Sequence, residues 1–155
     1  MITHLNSVGI GSNGTVTEAD ARNATTIPYV DNDVVTKFNE LRYFTNINKT
    51  AAPRRGEDET GSASFNGWAA LEEIDISNYV SVGRYEAYSS EWCLRGMPAL
   101  TTVIASNKLK NIGYGAFAGD NNLETISGLS GLITLRGEDC FLDCWKLLSS
   151  NFTNV

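Results

Sequence analysis

Histidine is nearly missing from this sequence. His4 is the single one in 155 residues, near a terminus where disorder is expected, so no credible Ser-His-Asp set can be assembled. Cysteine is almost as scarce. Cys93, Cys140 and Cys144 make neither a disulfide framework nor a zinc site, which needs four Cys or His ligands in paired spacing. Buried thiols are expected instead, with a Cys140–Cys144 bridge left open. Basic residues number 12 against 18 acidic ones, for a formal charge of −6, and the only basic cluster is Arg54-Arg55. Nucleic acid and anionic lipid, both held through Lys and Arg contacts to phosphate, are therefore set aside as partners. No apolar run reaches the roughly 18 residues of a membrane span. The start, MITHLNSVGIGSNG, lacks the basic, apolar and small-residue parts of a signal peptide, so the chain is expected neither to insert in a membrane nor to export itself. The phosphate loop G-x-x-x-x-G-K-[ST] does not occur, and no cofactor is expected.

What the sequence does hold is a balance suited to strands and turns. The hydrophobic fraction is 42% and the charged fraction 19%, enough for one folded domain or one short array. Asn, Ser, Thr and Gly are abundant, which favours turns over long surface helices, and little helix is expected.

The stretch NIGYGAFAGDNNLETI, residues 111–126, repeats itself along the chain. Phe117 is followed by Leu123 and Ile126, Leu94 by Leu100 and Val103, and Phe65 by Leu71 and Ile74, each at offsets of six and nine, while Phe141 is followed by Leu147 at six. These markers lie 29, 23 and 24 residues apart. Val80, Leu109 and Leu132 stand fifteen residues after their markers, and Ile112 and Leu135 eighteen after theirs. A further copy with its marker at Tyr29 carries Val35, Phe38, Phe44 and Ile47 at the same offsets. A period near 23 with fixed apolar offsets means that each unit covers its hydrophobic face only by stacking on the next. The expected fold is a β-leaning solenoid with little helix, of about five units. LEEIDIS, LTTVIAS and LETIS read as its strands, and the marker segments as turns that pack an aromatic inward.

GAFAGDNNLETI and DCFLDCWKLL resemble the BspA-like leucine-rich repeats, the roughly 23-residue type written AF-x-x-C-x-x-L-x-x-I, found in surface proteins of gut and oral bacteria and in some of their phages. Cys144 matches the cysteine of that pattern. Leu94 replaces its phenylalanine, Asp120 its cysteine and Ser150 its final isoleucine. The resemblance covers about residues 33–155 and implies a leucine-rich-repeat scaffold, which hosts many partners.

Residues 1–30 lack the repeat and are expected to cap it. GIGSNGTVTEAD at 9–20 has the outline of an EF-hand or dockerin-like calcium loop, with Gly14 and Asp20 at its sixth and twelfth positions. Gly9 and Gly11, however, stand where the cation needs side-chain oxygens, so calcium does not follow. Thr17 is placed to cap a short helix through Arg22, with Asp20 in the capping-box position. Residues 31–155 form the repeat domain, with insertions near 48–64 and 84–92. NFTNV stops in mid-unit. There the last strand is expected either to pair with another molecule or to be a truncated part of a longer array, since a bare edge invites association.

Candidate chemistry is thin. Glu73 and Asp75 lie two apart on one strand and so on one face. A glycosidase-like pair is conceivable there, but a solvated face partnered by Lys37 is the expectation. Outward-facing residues form a ladder of Lys37 and Asn39, Glu73 and Asp75, Thr102 and Ile104, Thr125 and Ser127, suited to protein or glycan recognition. Tyr85, Tyr88 and Trp92 in the second insertion are candidate anchors, aromatic residues on a loop. The chain therefore reads as a non-enzymatic binding or adhesion module of a bacterial surface or a virion, recognising a protein or glycan. The alternative is a structural virion component that docks on a larger assembly or forms a homo-oligomer.

Overall fold

A computed structural model of the chain describes residues 2–7, 9–25, 35–46, 68–83, 94–135 and 139–152. Tyr29, Phe65, Cys93, the insertion near 48–64 and the aromatic set Tyr85, Tyr88 and Trp92 lie outside the described residues. Among the described residues seven short strands run through the repeats: β1 (Lys37–Phe38), β2 (Glu73–Asp75), β3 (Ser81–Val82), β4 (Thr102–Ile104), β5 (Asn111–Ile112), β6 (Thr125–Ser127) and β7 (Thr134–Leu135). They form two parallel sheets, one in the order β1-β2-β4-β6 and one in the order β3-β5-β7. Each of the three repeats that hold β2, β4 and β6 thus gives one strand to each sheet, and its successor adds the next strand alongside. Parallel neighbours need a crossover connection, and here the remainder of each repeat supplies it.

The apolar offsets become columns through this register. Phe38, Ile74, Val103 and Ile126 are paired across the larger sheet, and all four are buried. Leu71, Leu100 and Leu123, three residues earlier in each unit, are fully buried beside them. Val82 pairs with Ile112 in the smaller sheet, and both point into the core. At the marker position Phe117 stacks on Phe141 with ring centroids 5.5 Å apart and planes 3° from parallel. The backbone stacks there as well, since Leu94 N donates to Ala116 O at 2.8 Å and Phe117 N to Cys140 O at 2.9 Å. The coils approach closely where one repeat turns. Gly128 has φ +77, and a Cβ on it would sit 2.5 Å from Ala105 O of the preceding coil, so glycine meets both the left-handed backbone and the contact.

One inward assignment shifts by a residue. Val80, expected in the core, is 57% exposed, and Tyr79 takes its place against the core. The cause is a turn one residue shorter: Glu73 aligns with Thr102 and Ser81 with Asn111, so the second strand starts eight residues after the first where the next coil has nine. Tyr79 carries a hydroxyl inward and satisfies it by donating to Phe44 O at 2.9 Å and Leu41 O at 3.3 Å.

Helix is scarce among the described residues: α1 (Ile2–Ser7), α2 (Glu18–Asn23) and three short 3-10 helices, Asn39–Tyr43, Leu129–Gly131 and Ser149–Phe152. His4 lies within α1, whose Leu5 is fully buried, so the expectation of a disordered start gives way to packing. Asp20 N donates to Thr17 Oγ1 at 3.2 Å and Thr17 N to Asp20 Oδ2 at 2.8 Å, forming the capping box at the start of α2. These Thr17 bonds hold the Asp20 carboxyl below its ordinary value. Between the helices, Ser12 and Thr15 bracket a tight turn through Asn13 and Gly14, both with positive φ. Asn6 sits inside this loop: its Nδ2 donates to Ile10 O at 3.0 Å and Thr15 O at 2.8 Å, while its Oδ1 accepts from Gly14 N at 2.7 Å. A side-chain amide organises the loop that has a calcium-site outline, and among the described residues no group of three His, Cys, Asp or Glu could hold a metal. Leu5, Ile10 and Ala21 join the core cluster of the repeats.

The other end also differs from expectation. In place of a strand at offset nine from Phe141, the chain forms the 3-10 helix Ser149–Phe152. Asn151 lies along β6: Ile126 N donates to its Oδ1 at 2.9 Å, and its Nδ2 donates to Glu124 O at 2.9 Å and Leu148 O at 2.8 Å. Phe152 packs edge-on against Phe141 at 5.4 Å. The β6 edge is thus closed by a side chain, and the expected pairing strand is absent from the described residues.

Candidate binding face

Side chains alternate along each strand, so the residues flanking the buried Phe38, Ile74, Val103 and Ile126 lie on the opposite face of the larger sheet. Lys37, Glu73, Thr102 and Thr125 form one row by direct pairing, and Asp75, Ile104 and Ser127 form a second. The first row reaches solvent at both ends, where Lys37 and Thr125 are exposed, with Glu73 and Thr102 half-buried between them.

The two carboxylates have different environments. Glu73 accepts from Asn39 Nδ2 at 2.6 Å through Oε1, and its Oε2 lies 3.4 Å from Lys37 Nζ. The Asn39 bond, assisted by Lys37, holds its carboxyl below the ordinary value against the opposing effect of burial. The expected Lys37 partnership is therefore present, with Asn39 closer.

Asp75 does not lie on a solvated face. It is 1% exposed, with Oδ2 accepting from Arg42 Nη1 at 2.7 Å and Oδ1 from Ser77 N at 2.9 Å. Arg42 is held in turn by Tyr43: its Nη2 donates to the phenol oxygen at 2.9 Å, and its guanidinium lies 4.7 Å from the centre of that ring. These contacts, the Tyr43 bond first and Asp75 next, raise the Arg42 pKa further. The 3-10 helix Asn39–Tyr43 makes the arrangement by returning the chain over β2, so that Arg42 covers a residue 33 positions later. Nothing in the apolar offsets marks Arg42, which is why the sequence reading passes over it. An Asp75 engaged on both oxygens is poorly placed to exchange protons with a substrate.

A second buried carboxylate, Asp120, stands where the repeat pattern has cysteine. Met97, Asp120 and Cys144 occupy the same position in three successive coils. Asp120 is fully buried. Its Oδ1 accepts from Met97 N at 2.8 Å, and its Oδ2 has no hydrogen-bond partner. Burial pushes this carboxyl up to about 8, against the opposing backbone bonds from Met97 and Gly96. Cys144 is free and its thiol donates to Phe117 O at 3.0 Å. Burial first, then the negative charge of Asp120, pushes that thiol up to about 12. The Cys140 thiol donates to Gly113 O at 3.1 Å, and the two cysteines are not bridged. Both are inert structural thiols.

Among the described residues no helix is long and apolar enough to cross a membrane. The family model of the BspA type leucine rich repeat region matches residues 40–155 in 6 copies. No curated protein and no solved structure matches the chain.

Proposed function

The chain belongs to the BspA-type leucine-rich repeat family, and from that premise we propose that it is a surface-displayed binding or adhesion module that recognises a protein or glycan without catalysis. In this reading its repeats build a solenoid of about five units closed by the two N-terminal helices, displayed on a bacterial cell or a virion. The observation that carries the reading is the outer row Lys37–Glu73–Thr102–Thr125. A rigid parallel sheet fixes its polar side chains at strand spacing, and the Asn39 and Lys37 bonds pre-orient Glu73. Preorganised groups lose little freedom on binding, which favours recognition. Engagement of Asp75 by Arg42 argues against a carboxylate pair acting on a glycosidic bond. Tyr85, Tyr88 and Trp92 are proposed as further anchors.

The test is direct binding of fluorescently labelled chain to an immobilised glycan panel and to purified extracellular matrix proteins. A ligand held by this face should bind at least tenfold more weakly to Thr102→Arg or to the triple variant Tyr85→Ala, Tyr88→Ala, Trp92→Ala, with the melting temperature of Thr102→Arg kept. Undiminished binding by both variants would remove the face from the site. Release of sugar by the wild-type chain would overturn the non-catalytic reading.

A further inference from the structure

The last described coil departs from its predecessors on its outer ridge. The register that places Met97, Asp120 and Cys144 at one position also aligns Arg95, Ala118 and Leu142; Pro98, Asn121 and Trp145; and Thr101, Glu124 and Leu148. The hydrogen bonds of Gly96 N to Ala118 O and Gly119 N to Leu142 O, 2.9 and 2.7 Å, fix this alignment independently of the sequence. At all three positions the earlier coils carry small, polar or charged residues or proline, and the last coil carries a large apolar side chain. Leu142 is 51% exposed, Trp145 79% and Leu148 59%. Single exposed apolar residues need no explanation, but three at matched positions of one coil form a ridge. Trp145 is also pre-positioned, since its indole Nε1 donates to Asp143 Oδ1 at 3.2 Å. That bond satisfies the polar edge and leaves the ring surface available to a partner.

We propose that this ridge is a self-association surface, on which Leu142, Trp145 and Leu148 of one copy pack against the same residues of a second copy across a two-fold axis. Charge selects this occupant. Trp145 is flanked by one exposed anion, Asp143, and one exposed cation, Lys146. A two-fold contact repeats one patch on both partners, so a patch carrying both signs places Asp143 opposite Lys146 twice. A chain of formal charge −6 would otherwise repel its own copy, and this local pairing offsets the repulsion where the surfaces meet. Three side chains put the contact at the small end of interface sizes, below about 1,200 Å². The dimer is correspondingly weak.

Sedimentation of the full 155-residue chain from about 1 to 500 µM tests this. The wild-type mass should rise from monomer to dimer and stop there. Trp145→Ser should stay monomeric, and because the indole is exposed its melting temperature should remain within about 2 °C. Lys146→Glu, which sets anion against anion across the axis, should weaken the dimer at least tenfold and decides the matter even if Trp145→Ser proves unstable. A monomer at 500 µM overturns the proposal. So does growth beyond a dimer, which would point to open-ended pairing at β7, or a dimer indifferent to Lys146→Glu, which would place the contact elsewhere.

Discussion

Asp120 Oδ1 lies 2.8 Å from the amide nitrogen of Met97, the residue at the same position one coil earlier. A carboxylate thereby bridges two rungs of the array from a fully buried place, with its second oxygen left without a partner.

The consequence is a stability that depends on pH in the opposite sense to most carboxylates. The Asp120 pKa is raised from 3.8 to about 8 in the folded chain. Between those values the native state holds a proton that the unfolded state has released, so stability is highest near the lower value and declines as pH rises towards about 8. Asp20 and Glu73, whose values are lowered, act below that window, where their contribution disappears on acidification. Urea unfolding from pH 4.5 to 8.5 should show the decline, and Asp120→Asn should flatten it while stabilising the chain at pH 8 by about 1 to 3 kcal/mol. An unchanged slope in Asp120→Asn would refute the assignment.

Arg42 and Asp75 form the pair that joins the first repeat to the second. Arg42→Ala leaves the Asp75 carboxylate buried without its cation, a loss of about 2 to 4 kcal/mol given that Arg42 itself keeps partial contact with water. Adding Asp75→Asn to Arg42→Ala should recover part of that loss, because it removes the isolated charge. Denaturant midpoints of the two single variants and the double variant measure the coupling; simple additivity would mean that the pair contributes nothing specific.

Asn151 substitutes for a strand at the β6 edge. Asn151→Ala removes its bonds to Ile126 N, Glu124 O and Leu148 O, and about 1 to 3 kcal/mol of stability should go with them. Amide exchange reads the effect locally: Ile126 should lose protection before Ile74 or Val103. Equal loss at all three would show global rather than edge unfolding.

Much of this architecture is legible in the sequence because the repeat imposes it. Offsets of six and nine place Leu71, Leu100 and Leu123, then Ile74, Val103 and Ile126, in buried columns. The limits of that reading are equally physical. Tyr79 replaces Val80 inside because one turn is a residue shorter, a slip that a fixed offset cannot follow. Asp75 is buried by an arginine 33 residues away, a pairing outside any local period. The β6 edge is met by an asparagine amide, which has no apolar signature. At the candidate face, Glu73 and Lys37 could be paired from strand alternation alone, whereas Arg42 required the path of the 3-10 helix.

The parallel register also determines how the molecule responds to force. The coils of β2, β4 and β6 are bonded to one another along both sheets, so tension across them meets these ladders a rung at a time. Peeling one coil frees about 23 residues, some 80 Å of extended chain, while the coils behind it keep their pairing. An array of nearest-neighbour contacts should therefore lengthen in steps under load.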